Sequence, residues 1–154
     1  MAGRARFVHT NIVAKDWRQL ARFYEEVFDC TPVPPERDLK GRWLDAGTGV
    51  AGAHIRGIHL RLPGHGEDGP TLEIFEYNRR PARPQPAINR PGLAHIAFAV
   101  ADVEAACQTV LERGGQQVGE LVTLDVPGAG TITFVYVTDP EGNIIELQRW
   151  SAGS

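Results

Sequence analysis

The sequence has little cysteine, no long apolar run and no excess of one charge sign. Two cysteines in 154 residues are too few for a disulfide framework or a thiolate zinc site. Together with the lack of an N-terminal apolar segment typical of a secretion signal, they favour a reducing, cytoplasmic location. No apolar run approaches the roughly 18 residues of a membrane span. A net charge of −3 argues against nucleic acid or an anionic membrane surface as a partner.

Glycine and proline, in contrast, are abundant, with 17 and 11 residues respectively. Because 42% of the residues are hydrophobic, this abundance indicates many turns and short strands rather than disorder. Several prolines cluster in residues 81–91, where apolar side chains are scarce. The cluster predicts a semi-extended linker between two modules, residues 1–80 and 92–154.

Similar segments precede and follow this linker. FVHTNIVAKD at residues 7–16 and LAHIAFAVAD at residues 93–102 each place an aspartate seven positions after a histidine. Asp16 and Asp102 stand where a helix N-cap belongs, and an amphipathic helical pattern follows each of them. Room for about three strands follows each helix. The repeat predicts an α+β fold made of two βαβββ modules.

Four ionisable side chains occupy matching places in the two modules. His9 and His95 lie in the first strands and Glu73 and Glu146 in the last, each opposite the continuous aliphatic side of its strand. A single such residue is more often hydrogen-bonded than a ligand. Two carboxylates on one concave sheet face, however, repel each other and are costly to desolvate without a cation. Imidazole and carboxylate together favour one divalent metal ion, namely Ni²⁺, Zn²⁺, Co²⁺, Mn²⁺ or Fe²⁺.

These segments resemble the vicinal oxygen chelate superfamily, which includes glyoxalase I, methylmalonyl-CoA epimerase, extradiol dioxygenases, fosfomycin resistance proteins and metal-free bleomycin-binding proteins. The resemblance rests on FVHTNIVAKD, TLEIFEY, GLAHIAFAVAD and, most specifically, DPEGNIIELQRW. It implies that the βαβββ modules form an incomplete barrel around a metal site, commonly in a homodimer. It also implies His9, Glu73, His95 and Glu146 as metal ligands, a set similar to that of bacterial glyoxalase I.

The resemblance favours a metal-dependent lyase or isomerase of the glyoxalase type that acts on a small molecule. Such an enzyme chelates vicinal substrate oxygens and moves a proton through an enediolate. Glu146 is the first candidate for the catalytic base and Glu73 the second. Three alternatives stay open: a CoA-thioester epimerase, an extradiol-type dioxygenase that uses His9, His95 and Glu146, and a metal-free drug-binding resistance protein.

The predicted substrate-binding residues lie on the first module's strands. They are Asn11, His59, Arg61, Phe75 and Tyr77. His59 and Arg61 are predicted to face the same concavity, where they would hold a carboxylate or phosphate. Phe75 and Tyr77 would contact an apolar part of the substrate. Proteins similar to glyoxalase I usually carry an arginine shortly after this histidine, for the glutathione carboxylate. Because Asn11, Val13 and Lys15 follow His9 instead, this departure from the family pattern argues against glutathione as a cosubstrate.

Overall fold

The computed structural model describes residues 3–152, and its backbone contacts divide the chain between Ala82 and Arg83 into two compact units. Unit 1 contains β1 (His9–Val13), α1 (Trp17–Phe28), β2 (Thr31–Lys40), α2 (Arg42–Thr48), β3 (His54–Arg61) and β4 (Thr71–Tyr77). Unit 2 contains β5 (His95–Ala99), α3 (Val103–Glu112), β6 (Gln116–Gln117), β7 (Val122–Val126), β8 (Gly130–Thr138) and β9 (Ile144–Ser151). Across the described residues, no helix has the length and apolar character of a membrane span.

Each unit contains a mixed sheet with the same strand order. In unit 1 the order is β1-β4-β3-β2, with β1 parallel to β4 and the other neighbours antiparallel. In unit 2 the order is β5-β9-β8-β6, and β7 continues alongside β8 beyond β6. Because β6 and β7 pair with successive parts of β8, they correspond to one interrupted strand. The α+β class and the repeated strand, helix and strands are confirmed.

The two long helices begin at the predicted aspartates. The Asp16 carboxylate accepts a hydrogen bond from the backbone N–H of Gln19, and the Asp102 carboxylate accepts one from Ala105. Each cap therefore satisfies a backbone donor that has no partner within its helix. Helix α1 packs against β3 and β4, and α3 packs against β8 and β9.

Two elements of unit 1 differ from what the sequence pattern indicates. Strand β2 contains Pro32, Pro34 and Pro35, and a bulge interrupts its pairing with β3. Proline is tolerated there because β2 is an edge strand, whose outer N–H groups have no ladder partner. Helix α2 occupies a region where only strands were expected. It has seven residues and no side-chain N-cap, so it is too short to show a clear helical period.

The two faces of the unit 1 sheet carry different residues. Leu60, Leu72 and Ile74 are fully buried on the face that packs against α1. The alternating positions form the opposite face, which we call the histidine face of unit 1. It is defined by His9, Asn11, Ile55, His59, Arg61, Glu73, Phe75 and Tyr77. The histidine face of unit 2 is defined by His95, Ala97, Tyr136 and Glu146.

Candidate functional site

Strand pairing in unit 1 surrounds one carboxylate with nitrogen atoms. Asn11 on β1 and His59 on β3 are the partners of Glu73 on β4. The Nε2 atoms of His9 and His59 lie 3.0 Å from Oε1 and 2.9 Å from Oε2 of Glu73, respectively. The Asn11 amide donates a hydrogen bond of 3.3 Å to Oε1. Glu73, only 8% exposed, therefore has polar contacts at both carboxylate oxygens.

The environment of His59 favours its neutral form. Burial lowers the pKa of His59 below its ordinary value of 6.5, and the electrostatic interactions with Arg37 and His9 act in the same direction. The negative charge of Glu73 opposes them without reversing the effect. His59 is therefore an uncharged imidazole at neutral pH, able to donate one ring N–H and to accept at the other nitrogen.

Unit 2 repeats this arrangement with two substitutions, Ala97 in place of Asn11 and Tyr136 in place of His59. The Nε2 atom of His95 lies 3.3 Å from Oε2 of Glu146. Ala97 and Tyr136 are the strand partners of Glu146, and the Tyr136 ring centroid lies 5.0 Å from that of His95. Burial, and then the charge of Glu146, raises the pKa of Tyr136, so its hydroxyl stays protonated at neutral pH.

Tyr136 is a candidate functional residue that the sequence analysis did not identify. It pairs with Glu146 as His59 pairs with Glu73, so it occupies the equivalent place in the second unit. The sequence signal was present in the alternation of β8. Aligning the two units by their third and fourth strands, rather than by the His and Glu motifs alone, would have revealed it.

The separations within the two His–Glu pairs are those of hydrogen bonds, and they also suit two ligands of one metal ion. Two ligand atoms that each lie about 2.1 Å from one metal ion, at roughly 90–110° to each other, are about 3.0–3.4 Å apart. The distances of 3.0 Å for His9–Glu73 and 3.3 Å for His95–Glu146 are of this size. Within residues 3–152, no group of three or more His, Cys, Asp or Glu side chains has a metal-binding arrangement. That all four residues share one metal stays a prediction.

The remaining predicted substrate-binding residues lie along the histidine face of unit 1. Arg61 follows His59 by two positions on β3, so the two side chains share this face. The Phe75 ring lies 5.6 Å from the His59 ring, centroid to centroid. Phe75 and Tyr77 also pack in an apolar cluster with Ile55 and with Leu44 of α2. This packing leaves Phe75 only 9% exposed.

Both cysteines are buried free thiols. Burial raises the pKa of Cys30 to about 12, and the nearby Asp29 and Glu25 carboxylates contribute. Burial also raises the pKa of Cys107. Because the thiolate is the reactive form, neither residue has the environment of a catalytic nucleophile.

Comparison with known sequences connects this geometry to one superfamily. The family model described as Glyoxalase/Bleomycin resistance protein/Dioxygenase superfamily matches residues 6–147. A 2-epi-5-epi-valiolone epimerase from an Actinomyces species is 33% identical over 153 residues, which cover 95% of this chain and 80% of the relative. A probable lactoylglutathione lyase from Synechocystis is 36% identical over 64 residues, 40% of this chain and 44% of the relative.

Solved structures show the same fold. A glyoxalase family protein from Bacillus cereus has a TM-score of 0.74 at 18% identity, with 97% of this chain and 98% of the other covered. A fosfomycin resistance protein from Listeria monocytogenes, complexed with Mn(II) and sulfate, has a TM-score of 0.54 at 12% identity, with 98% and 95% covered. These findings confirm the resemblance that the sequence motifs indicate. The chain belongs to the glyoxalase/bleomycin resistance protein/dioxygenase superfamily.

Proposed function

We propose that the protein is a metal-dependent lyase or isomerase that removes a proton from a carbon next to an oxygen-bearing carbon of a small molecule. The observation that carries the proposal is the repeated His–Glu pair, His9 with Glu73 and His95 with Glu146, at matching places in two sheets of the same order. Similarity to proteins named as an epimerase and a lyase supports it.

The proposed metal ligands are His9, Glu73, His95 and Glu146, and the proposed metal is Ni²⁺, Zn²⁺, Co²⁺, Mn²⁺ or Fe²⁺. Imidazole and carboxylate ligands suit these ions, and the spacing within each pair supports the assignment. When bound, a divalent ion supplies Lewis-acid stabilisation of the negative charge that develops on the substrate oxygens. The homodimer and the cytoplasmic location remain proposals, which rest on the family resemblance and the low cysteine content respectively.

The two carboxylates are proposed to have different roles because their contacts differ. Glu73 is contacted by nitrogens of His9, Asn11 and His59, which hold its carboxylate in one orientation. Glu146 lies 3.3 Å from His95 and has fewer such contacts. We therefore assign Glu146 as the base that removes the proton from carbon. Glu73 is the second candidate.

Tyr136 completes the proposed proton-transfer group in unit 2. Its hydroxyl is protonated at neutral pH, and Tyr136 is the strand partner of Glu146. The hydroxyl would therefore be able to donate a hydrogen bond to a group near that carboxylate. In this role Tyr136 would supply a proton or orient Glu146. His59, which is uncharged, would orient Glu73 in unit 1.

Solvent deuterium exchange tests the proposed function. Chelator-treated protein is supplied with Ni²⁺, Co²⁺, Zn²⁺, Mn²⁺ or Fe²⁺ in D₂O and offered an α-hydroxyketone, a hemithioacetal and an acyl-CoA thioester. We expect metal-dependent incorporation of deuterium into at least one of them. Glu146→Gln should reduce the rate by roughly 10²–10⁴-fold. The control is Glu120→Gln, which changes an exposed glutamate outside both histidine faces.

Two results would overturn the proposal. One is a wild-type protein that exchanges no deuterium with any metal and substrate. The other is full exchange by both Glu73→Gln and Glu146→Gln with unchanged metal content. Metal analysis of protein purified without added metal separates the alternatives. Iron, together with oxygen uptake on catechols, would indicate an extradiol-type dioxygenase, whereas drug binding without metal would indicate a resistance protein.

A further inference from the structure

Arg61 lies at one end of the histidine face of unit 1. Its strand partners are Thr71 on β4 and Thr31 on β2, both uncharged. It is half-buried, and its position makes it a diagonal neighbour of Glu73 on the adjacent strand. Diagonal neighbours on one sheet face have Cα atoms about 7–8 Å apart, which a long side chain can span. The guanidinium is therefore close to the proposed site.

The Nε atom of Arg61 is buried and has no hydrogen-bond partner. In the described part of the chain it is the only buried side-chain nitrogen or oxygen in this condition. Other arginines have partners in this structure: Arg18 pairs with Glu36, Arg56 with Asp38, and Arg83 donates to Asn143. A buried donor without a partner costs free energy of folding. Arg61 is therefore suited to bind an anion that comes from outside the protein.

The second unit lacks this cation. The residue equivalent to Arg61 is Thr138, which pairs with Ile144 as Arg61 pairs with Thr71. The Thr138 hydroxyl accepts a hydrogen bond from the backbone N–H of Gln116, so it has a structural role. A guanidinium at this place is therefore not required by the repeated sheet. Its presence in unit 1 alone makes it a candidate for recognition of a ligand.

The opposite end of the histidine face of unit 1 is covered by protein. Leu44 of α2 packs with Ile55 and Phe75, and Tyr77 packs against this cluster. A substrate that reaches Glu73 cannot extend along the sheet toward Tyr77 without displacing the cluster. Within unit 1, the direction that remains leads from Glu73 toward Arg61.

We propose that Arg61 binds an anionic group of the substrate, a carboxylate or a phosphate. The inference rests on the proposed function in one respect, since it takes Glu73 as part of the reaction site. It narrows the substrate class of the proposed function to small molecules that carry a carboxylate or phosphate in addition to their reacting oxygens. The fork of guanidinium N–H groups matches carboxylate and phosphate oxygens, and Nε–H is one of the donors.

Nuclear magnetic resonance tests the anion site without requiring turnover. In ¹⁵N-labelled full-length protein, the Arg61 Nε–H cross-peak is assigned by its disappearance in Arg61→Lys. Inorganic phosphate and acetate are the probes, and sodium chloride at equal ionic strength is the control. We expect one or both probes to shift this cross-peak saturably, while that of Arg56, on the opposite face of β3, shifts no more than in chloride. The probe that binds with the lower Kd assigns the anionic group of the substrate, a phosphate or a carboxylate.

Kinetics of deuterium exchange provide the second measurement. Arg61→Met should lower kcat/KM for an anionic hydroxyketone by roughly 10–100-fold, mostly through KM, and leave that of a neutral analogue unchanged. Arg61→Lys should recover part of the loss because it keeps the charge without the fork. Arg56→Met, which removes a cation from the same strand, should leave kcat/KM unchanged for both substrates.

The outcomes separate this inference from the proposed function. If neither probe moves the Arg61 cross-peak beyond the effect of chloride, the inference is wrong, even where the wild type exchanges deuterium. The inference would also be overturned if Arg61→Met lowered kcat/KM equally for anionic and neutral substrates. If the cross-peak responds saturably but no substrate exchanges deuterium, the anion site stands and the proposed reaction fails.

Discussion

The Nε2 atom of His59 lies 2.9 Å from Oε2 of Glu73, and the two residues are direct partners in the β3–β4 ladder. In the second unit the same ladder position joins Tyr136 to Glu146. The repeat thus preserves the carboxylate and changes its neighbour from an imidazole to a phenol. Because a neutral imidazole and a protonated phenol differ in their hydrogen-bonding capacity, the two carboxylates are not chemically equivalent.

We predict that divalent metal stabilises the folded protein. An ion that binds only the folded state at about 100 times its Kd raises the free energy of unfolding by about 2.7 kcal/mol. Thermal melts of chelator-treated protein with and without Ni²⁺ or Mn²⁺ should show a higher Tm for the wild type. His9→Gln and His95→Gln should lose most of the increase. His65→Gln, in the exposed loop before β4, is the control and should keep it.

Helix α2 should contribute to stability through one leucine. Leu44 is 6% exposed and packs with Ile55 and Phe75, so Leu44→Ala leaves a cavity beneath the helix. We expect a loss of about 2–5 kcal/mol in the free energy of unfolding, measured in urea. Trp43→Ala, at the neighbouring residue that is 61% exposed, should cost much less. Equal losses in the two variants would contradict the packing described for α2.

Gly57 allows β3 and β4 to approach each other on the histidine face. A Cβ atom at this position would lie 2.1 Å from the carbonyl oxygen of Ile74 and 2.8 Å from Cδ1 of Phe75. Gly57→Ala should therefore destabilise the protein by about 1–3 kcal/mol or more. Gly119→Ala is the matched control because a Cβ there meets nothing within 4 Å. A Gly57→Ala variant as stable as this control would disprove the close approach.

The Asp38–His54 ion pair should make stability depend on pH in the acid range. A hydrogen bond from His54, 2.6 Å in length, lowers the pKa of Asp38, and the charges of His54, Arg56 and Lys40 contribute. The stabilisation is therefore present above the unfolded pKa of about 3.9 and is lost as the pH falls through the folded value. The difference in Tm between wild type and Asp38→Asn should shrink from about pH 5 to about pH 2.

The control for this pH series is Asp68→Asn, which changes an exposed aspartate in the loop before β4. The difference in Tm between this variant and the wild type should not shrink over the pH range in which that of Asp38→Asn does. A difference for Asp38→Asn that stays constant over the whole range would mean that the ion pair contributes nothing to the acid dependence.

Features set by short segments were predictable from the sequence. Asp16 and Asp102 cap their helices because a carboxylate at that position reaches a backbone N–H three residues later, whatever the rest of the fold does. Strand alternation likewise predicted that His59 and Arg61 share a face, since neighbouring side chains point to opposite sides. About three strands were expected after α1, but β2 was not located in the sequence because its prolines are compatible with a strand only at a sheet edge.

The sequence alone determined the duplication, the helix starts and the sheet faces of the four His and Glu residues, because these depend on periodicity and local hydrogen bonding. Only the tertiary structure decided that His59 is the partner of Glu73, that Tyr136 is the partner of Glu146 and that Arg61 Nε is left without an acceptor. Strand register and burial arise from contacts between residues distant in the chain. A shift of one residue in register would have separated each of these pairs.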